Sequence, residues 1–319
     1  MRSVAFIFPG QGSQSLGMCN SIETEISTVK HRFEVGSDIL GINLWRLIKE
    51  GPIEKLNQTQ YTQPAMLASN VAFYDIWKKL GGEQVDMMAG HSLGEYAALV
   101  CANILDYEEA MSLVIKRGKL MQEAVPEGVG SMAAIMGLNE ETLEAICEEV
   151  NNKKSDFVVE CANLNTEEQI VVSGYSEAVA VACELALKKG AKRALPLDVS
   201  VPSHCSLMKE ASSEFAKHFN TDLFEIGQIS VVQNVDAEVC KSPEKIAYLL
   251  IKQLYSPVRW TDTINNLKKH GCEKIYECGP GKTLTGLNRR IDRKLEAVAL
   301  NSLEVLKQHS QTKNQKVNK

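Results

Sequence analysis

No apolar run in this chain approaches the ~18 residues that a membrane-spanning helix needs. The N-terminal run Val4 to Phe8 is too short for the apolar segment of a signal peptide, and Pro9-Gly10 ends it. Charge of neither sign is in large excess. Charged residues make up 24% and the formal net charge is −5, which offers no basic face to nucleic acid or to an anionic membrane surface. Paired cysteines are missing as well. The nine cysteines are odd in number, none forms a C-x-x-C pair and many sit in apolar segments. That is the usage of reduced, buried thiols, not of a disulfide framework or a zinc site, and a soluble cytoplasmic protein is expected. Two glycine-rich loops also fail as phosphate binders. Gly10-x-Gly12 is followed by Ser15 where a dinucleotide fingerprint has its third glycine, and the position five before Gly281-Lys282-Thr283 is Tyr276. With no metal-ligand cluster either, no resident cofactor is expected.

What is present is enough apolar material for a large core: 319 residues, 44% of them hydrophobic, fitting one large domain with a smaller one inserted or appended. The most informative stretch runs from Val85 to Leu105. Val85 to Ala89 reads as a buried strand, Gly90-His91-Ser92-Leu93-Gly94 fits G-x-S-x-G, and the Ala/Leu-rich Glu95 to Leu105 reads as a helix. Strand, sharp turn and helix are the context of a nucleophile elbow. The turn strains the serine backbone, so its neighbours must be small, and the helix N-terminus beneath the hydroxyl favours a developing negative charge. Ser92 is therefore the candidate nucleophile.

Along the chain, Val4 to Phe8 reads as a buried first strand and residues 20 to 50 as helical. Tyr61-Thr62-Gln63-Pro64-Ala65 is expected to introduce a helix running to about Lys79, with Pro64 near its first turn, where proline is tolerated. Tyr107 to Val125 gives another. From Ser131 to Val199 the pattern is β-α-β-β-α-β, the ferredoxin-like order. Later elements are a helix over Leu207 to His218, a strand over Ile229 to Asn234, helices over Pro243 to Gln253 and Thr261 to His270, and a strand over Lys274 to Cys278. The expected division is a body of residues 1–126 and 200–306, a small subdomain of residues 127–199, and a disordered polar tail over 307–319.

Seven stretches carry a resemblance: Phe8-Pro9-Gly10-Gln11-Gly12-Ser13-Gln14, Tyr61-Thr62-Gln63-Pro64-Ala65, Gly90 to Tyr96, Arg117-Gly118, Val201-Pro202-Ser203-His204, Gln253 to Trp260 and Glu277-Cys278-Gly279-Pro280-Gly281. In this order, from residue 4 to about 290, the chain resembles the malonyl-CoA:acyl carrier protein transacylases of type II fatty acid synthesis. The resemblance implies an α/β fold, with an α/β-hydrolase-like large subdomain and an inserted ferredoxin-like small one. It also implies a ping-pong reaction: Ser92 takes malonyl from coenzyme A and passes it to the phosphopantetheine thiol carried by acyl carrier protein. With no evident interface pattern in the sequence, a monomer is expected.

The resemblance assigns roles, each with an ordinary alternative. Ser92 needs a base, and the resemblance makes it His204, oriented by a backbone carbonyl at Gln253; His91, beside the nucleophile, is read as structural. Asp198 precedes His204, but nothing places its carboxylate on the ring, so no triad is inferred. The oxyanion donors implied are the backbone N–H groups of Leu93 and Gln11. Arg117 would hold the malonyl carboxylate with a planar, permanently charged fork; alone on a helix, it reads as a solvated surface charge. Gln63 and Met121 would line the pocket, or simply pack. Lys116, Lys119, Arg259, Arg289 and Arg290 are unranked candidates for a basic surface facing the acidic carrier. The competing readings are a serine esterase or thioesterase, against which the missing His-Gly-Gly-Gly motif counts, an acyltransferase serving a polyketide synthase in trans, and a degenerate docking module.

Overall fold

The computed structural model describes residues 3–199 and 201–311. Its strands are β1 (Ser3–Phe8), β2 (Met87–Gly90), β3 (Gly130–Met136), β4 (Val159–Thr166), β5 (Gln169–Tyr175), β6 (Arg193–Pro196), β7 (Ser230–Val232), β8 (Cys272–Cys278) and β9 (Glu296–Leu300). They make a mixed α/β structure with two separate sheets. One is five-stranded and parallel in the order β7-β2-β1-β8-β9. The other is four-stranded and antiparallel in the order β4-β5-β3-β6.

The central strand β1 explains why the parallel sheet is covered on both faces. Successive side chains point to opposite faces. Phe6 and Phe8 join the cluster containing Tyr74, Trp77 and Tyr276, while Ala5 and Ile7 join the one containing Val258, Trp260 and Ile264. Phe6 is fully buried, with its ring centroid 5.7 Å from Tyr74, 5.4 Å from Trp77 and 5.3 Å from Tyr276. Burial of one such ring contributes about 1.5–3 kcal/mol, which is why β1 reads as an unbroken apolar run. Helix Thr59–Lys79 covers one face and helix Trp260–Lys269 the other.

The antiparallel sheet has its own core, including Ile135, Leu143, Ile146, Val172 and Ala182. It is tied to the rest by main-chain bonds. Leu164 N–H donates to Val258 O and Val258 N–H donates to Ala162 O, both at 2.9 Å.

Several expectations need correction. The proline-containing helix begins at Thr59, so Pro64 lies inside it. Its first turn is closed by Tyr61 and Thr62 N–H groups donating to Gln58 O, at 2.8 and 2.9 Å. Burial of the helix on nearly all sides outweighs the one backbone bond that proline cannot make. Strand β6 ends at Pro196 and β7 at Val232, freeing Val199 and Asn234 from the ladders. The segment expected as one helix from Leu207 is a 3-10 turn over Ser206–Met208 followed by helix Lys209–Ala216. Helix Thr283–Ile291 and strand β9 lay outside the expected pattern. The disordered tail expected over 307–319 is helical as far as Ser310: helix Leu303–Ser310 is capped by Ser302 and buries Leu306 completely. Residues 312–319 lie outside the described residues. Among the described residues no helix is long and apolar enough to cross a membrane.

Candidate active site

The site forms where the carboxyl ends of β1, β2 and β7 meet, the edge at which open parallel sheets bind ligands. Ser92 follows β2 and precedes helix Gly94–Cys101, with φ at 51°. That left-handed conformation costs a non-glycine residue about 1–2 kcal/mol, so neighbouring structure must hold it. A Cβ on Gly90 would fall 1.9 Å from the Gly94 carbonyl carbon, and one on Gly94 2.0 Å from Phe8 O. Polar side chains do the rest. Ser92 N–H donates to Asn234 Oδ1 at 2.7 Å, and Ser92 O accepts from Gln253 Nε2 at 3.1 Å.

His204 comes to the nucleophile from a loop that begins after the antiparallel sheet. Its backbone is also left-handed, with φ at 65°, and its N–H donates to Leu254 O at 2.9 Å. Nε2 lies 2.7 Å from Ser92 Oγ and Nδ1 lies 2.7 Å from Gln253 O. A carbonyl oxygen can only accept, so Nδ1 carries the proton and Nε2 is left to accept from the hydroxyl. Asp198 is exposed and takes no part. The geometry is that of a candidate Ser–His dyad with a carbonyl as orienter. Burial, and after it the Arg117 charge, pushes His204 down to about 3, so the ring stays neutral as a base must.

Arg117 is 1% exposed. The ordinary reading of a solvated helical arginine is therefore wrong here. One terminal nitrogen donates to Gln63 Oε1 at 2.8 Å; the other donates to Gln253 Oε1 at 2.9 Å and to Ser92 Oγ at 3.3 Å. All three acceptors are neutral, and Nε has no partner among the described residues. Burial lowers its pKa, but a guanidinium stays charged in proteins. The result is a buried cation beside Ser92 with no paired carboxylate, a costly state that an incoming anion would relieve.

Ser92, His204, Arg117, Gln63, Met121, Leu93 and Gln11 all line one narrow cavity of about 90 Å³. His91, Met132, Asn163, Leu197, Val199 and Ser203 complete its wall. Gln63 Nε2 donates to Met121 Sδ at 3.5 Å, which orients its Oε1 towards Arg117. The N–H groups of Gln11 and Leu93 have no acceptor among the described residues. The Gly10 loop packs so closely that a Cβ there would sit 2.4 Å from His91 O and 3.7 Å from Leu93 N. His91 turns away, its Nε2 2.9 Å from Asn165 Oδ1 and its ring 5.4 Å from Trp260. A larger hollow of about 440 Å³ beside Arg32, Asp75 and Tyr107 holds no nucleophile–base pair. Burial pushes its one thiol, Cys101, far up, so it is inert.

Sequence reasoning missed three features of this site. Asn234, just past β7, donates to Gly90 O at 2.7 Å while accepting from Ser92. Gln253 was expected to act through its carbonyl alone; its side chain also holds Arg117 and the elbow. Glu95 is 1% exposed and accepts from Gln253 Nε2 at 2.7 Å and from Asn234 N–H at 3.0 Å. An acidic residue in an otherwise apolar first helical turn was the available signal. None of the five candidate basic residues lines the cavity. Arg259 pairs with Asp262 at 2.8 Å, Lys119 lies 3.9 Å from Glu123, and Arg290 donates to Gln169 on β5.

Residues 5–287 match the acyl transferase domain family. A malonyl CoA-acyl carrier protein transacylase of Escherichia coli K12 is 47% identical over 301 residues, covering 94% of this chain and 96% of the relative. The structure of the transacylase of that description from Coxiella burnetii superposes with a TM-score of 0.93 at 46% identity, covering 97% of each chain. A malonyl-transacylase in complex with its type II PKS acyl-carrier protein also matches with a TM-score of 0.93 at 46% identity, over 97% of this chain and 99% of that one. With its family-wide match and these relatives, the chain belongs to the acyl transferases, among the malonyl-CoA–acyl carrier protein transacylases.

Proposed function

We propose that this acyltransferase moves a malonyl group from malonyl-CoA to the phosphopantetheine thiol of an acyl carrier protein through a malonyl-Ser92 ester, supplying fatty acid chain elongation. The observation that carries the reading is the buried, carboxylate-free Arg117 guanidinium 3.3 Å from the nucleophile. An acyl group with a terminal carboxylate satisfies that cation bidentately; an uncharged acyl group leaves it bare.

The steps follow from the geometry. Ser92 Oγ attacks the thioester carbonyl carbon as its proton passes to His204 Nε2. The carbonyl oxygen gains the charge and takes hydrogen bonds from the Gln11 and Leu93 N–H groups. Collapse breaks the C–S bond, and the leaving thiolate takes the proton from Nε2. In the second half the carrier's thiol gives its proton to Nε2, sulfur attacks the ester carbonyl, and Ser92 Oγ leaves with the proton. A depressed His204 returns that proton readily, while the bound carboxylate offsets the Arg117 charge that opposes its uptake.

The order of the elements supports an α/β-hydrolase-like body of residues 1–126 and 200–306 with a ferredoxin-like small subdomain over 127–199; that the chain acts as a cytoplasmic monomer without a resident cofactor is part of the same proposal. Intact mass spectrometry tests the reading. Malonyl-CoA should add one malonyl group at Ser92, absent in Ser92→Ala, and holo acyl carrier protein should remove it. An adduct lost to water that ignores the carrier makes the chain a hydrolase. The similarity to the transacylase bound to a PKS carrier supports a second reading, service to a polyketide synthase, which comparing discharge onto both carrier classes decides.

A further inference from the structure

One acidic side chain next to the site has no part in the transfer just described. Glu95 lies on helix Gly94–Cys101 and is 1% exposed. Its Oε2 accepts from Gln253 Nε2 and Asn234 N–H, at 2.7 and 3.0 Å, and its Oε1 has no partner among the described residues. Arg117 donates to Gln63, Gln253 and Ser92 but not to Glu95. This environment suits a carboxylic acid better than a carboxylate. An acid uses one carbonyl oxygen for both donors and leaves a single hydroxyl unpaired, at about 1–3 kcal/mol. A carboxylate would have charge on an oxygen that neither water nor a donor reaches, which costs more.

The groups that act on Glu95 come from three elements. Burial pushes it up to about 8, and Asp236, past β7, adds to this; Arg117, on helix Tyr107–Ala124, pulls the other way. Tyr96, on its own helix, is kept protonated by burial, and His204 connects to it through Gln253.

We propose that Glu95 is a specificity-determining positioning residue that works as an uncharged acid: its carbonyl oxygen fixes Gln253 and Asn234, and its lack of charge reserves the Arg117 cation for the acyl carboxylate. The proposal rests on the reading that Arg117 receives that carboxylate. An ionised Glu95 would compete with the substrate for the same cation in the same low-dielectric space. Loss of its proton therefore weakens malonyl binding and leaves uncharged acyl groups untouched.

Three measurements on the full chain test this. The infrared difference spectrum of free wild type minus Glu95→Gln at neutral pH should contain the carbonyl stretch of a protonated carboxyl. Carboxylate stretches in its place overturn the proposal, whatever Arg117 binds. From about pH 7 to about pH 9.5, KM for malonyl-CoA in the wild type should rise by up to about tenfold per pH unit once Glu95 ionises. It should stay flat in Glu95→Gln, and KM for acetyl-CoA should stay flat in both. A rise that persists in Glu95→Gln, or that acetyl-CoA shares, refutes the charge argument. Finally, Glu95→Ala should lower kcat about tenfold or more by freeing two donors, with Glu95→Gln restoring most of it; a glutamine no better than alanine is fatal to the positioning role. If Arg117→Ala keeps its malonyl preference, the reading of Arg117 fails, and the infrared result stands independently of it.

Discussion

Arg117→Ala removes a guanidinium that stands 3.3 Å from the Ser92 hydroxyl and is held by two amide oxygens, those of Gln63 and Gln253. On the proposed reading, the malonyl carboxylate in the wild type enters a cavity where this cation replaces its lost water. In the variant the carboxylate is buried without a partner, and breaking a buried ion pair from one side costs about 3–5 kcal/mol. At 1.4 kcal/mol per factor of ten, kcat/KM for malonyl-CoA falls by about 140- to 3,700-fold. Acetyl-CoA has no charge to lose, so the malonyl-to-acetyl preference collapses by a similar factor. A second consequence has a worked sign. The Arg117 charge lowers the His204 pKa; its removal raises that pKa towards the ordinary histidine value, and the acid limb of acetyl loading moves to higher pH. The assay is acyl-enzyme formation by quenched-flow mass spectrometry with both thioesters across pH, with circular dichroism as the folding control. A variant that folds and still strongly prefers malonyl refutes the assignment of Arg117.

Three further outcomes follow from the same geometry. Asp198→Asn should leave transfer within a few-fold, whereas a drop near the ~10⁴ seen on disabling a triad acid would reinstate a triad. Asn234→Ala frees the Ser92 and Gly90 backbone groups, and should lower kcat by about 10- to 100-fold, matching about 1.5–3 kcal/mol for a charge-free but buried pair; unchanged kcat with a lowered Tm would make Asn234 a purely structural residue. Because His204 is pushed down to about 3, kcat/KM for malonyl loading should stay flat as pH falls from about 7.5 to about 5, where an ordinary histidine would already be protonated. The same depression makes the unfolded chain bind more protons in the window from the ordinary histidine pKa down to about 3. Glu95, pushed up to about 8, has the opposite sign and offsets this above the ordinary carboxylate value of 4.5. Stability should therefore fall with falling pH only from about 4.5 to about 3, and a denaturation midpoint that rises there instead would contradict it.

The parts of the site that a reader of sequence can find are the local ones. Gly90 to Gly94 between an apolar run and an Ala/Leu-rich segment specifies a strand, a strained turn and a helix within a dozen residues. Gln253, Asn234 and Glu95 are different. Their roles exist only because the parallel register brings the ends of β2 and β7 side by side and aims the C-terminus of helix Pro243–Gln253 at both. No spacing along the chain encodes that meeting. Pro64 misled because a local rule about helix starts lost to burial of the whole helix. Strand β9 was missed because it is a half-buried edge strand, laddered among the described residues to β8 alone, so its apolar pattern is weak.

The close packing at Gly10, Gly90 and Gly94 also bears on how the site tolerates change. The separation between the Ser92 main chain and the N–H groups that would receive the oxyanion is set largely by main chain lying on main chain, at Phe8 O, His91 O and the Gly94 carbonyl. Apart from the Asn234 and Gln253 side chains that hold the turn, side-chain volume in the core does not enter that length. The core around β1 can drift in sequence or loosen on warming without altering it, while a single methyl group at any of the three glycines forces the two loops apart. Accuracy at the reacting bond is thus insulated from the softness of the surrounding interior.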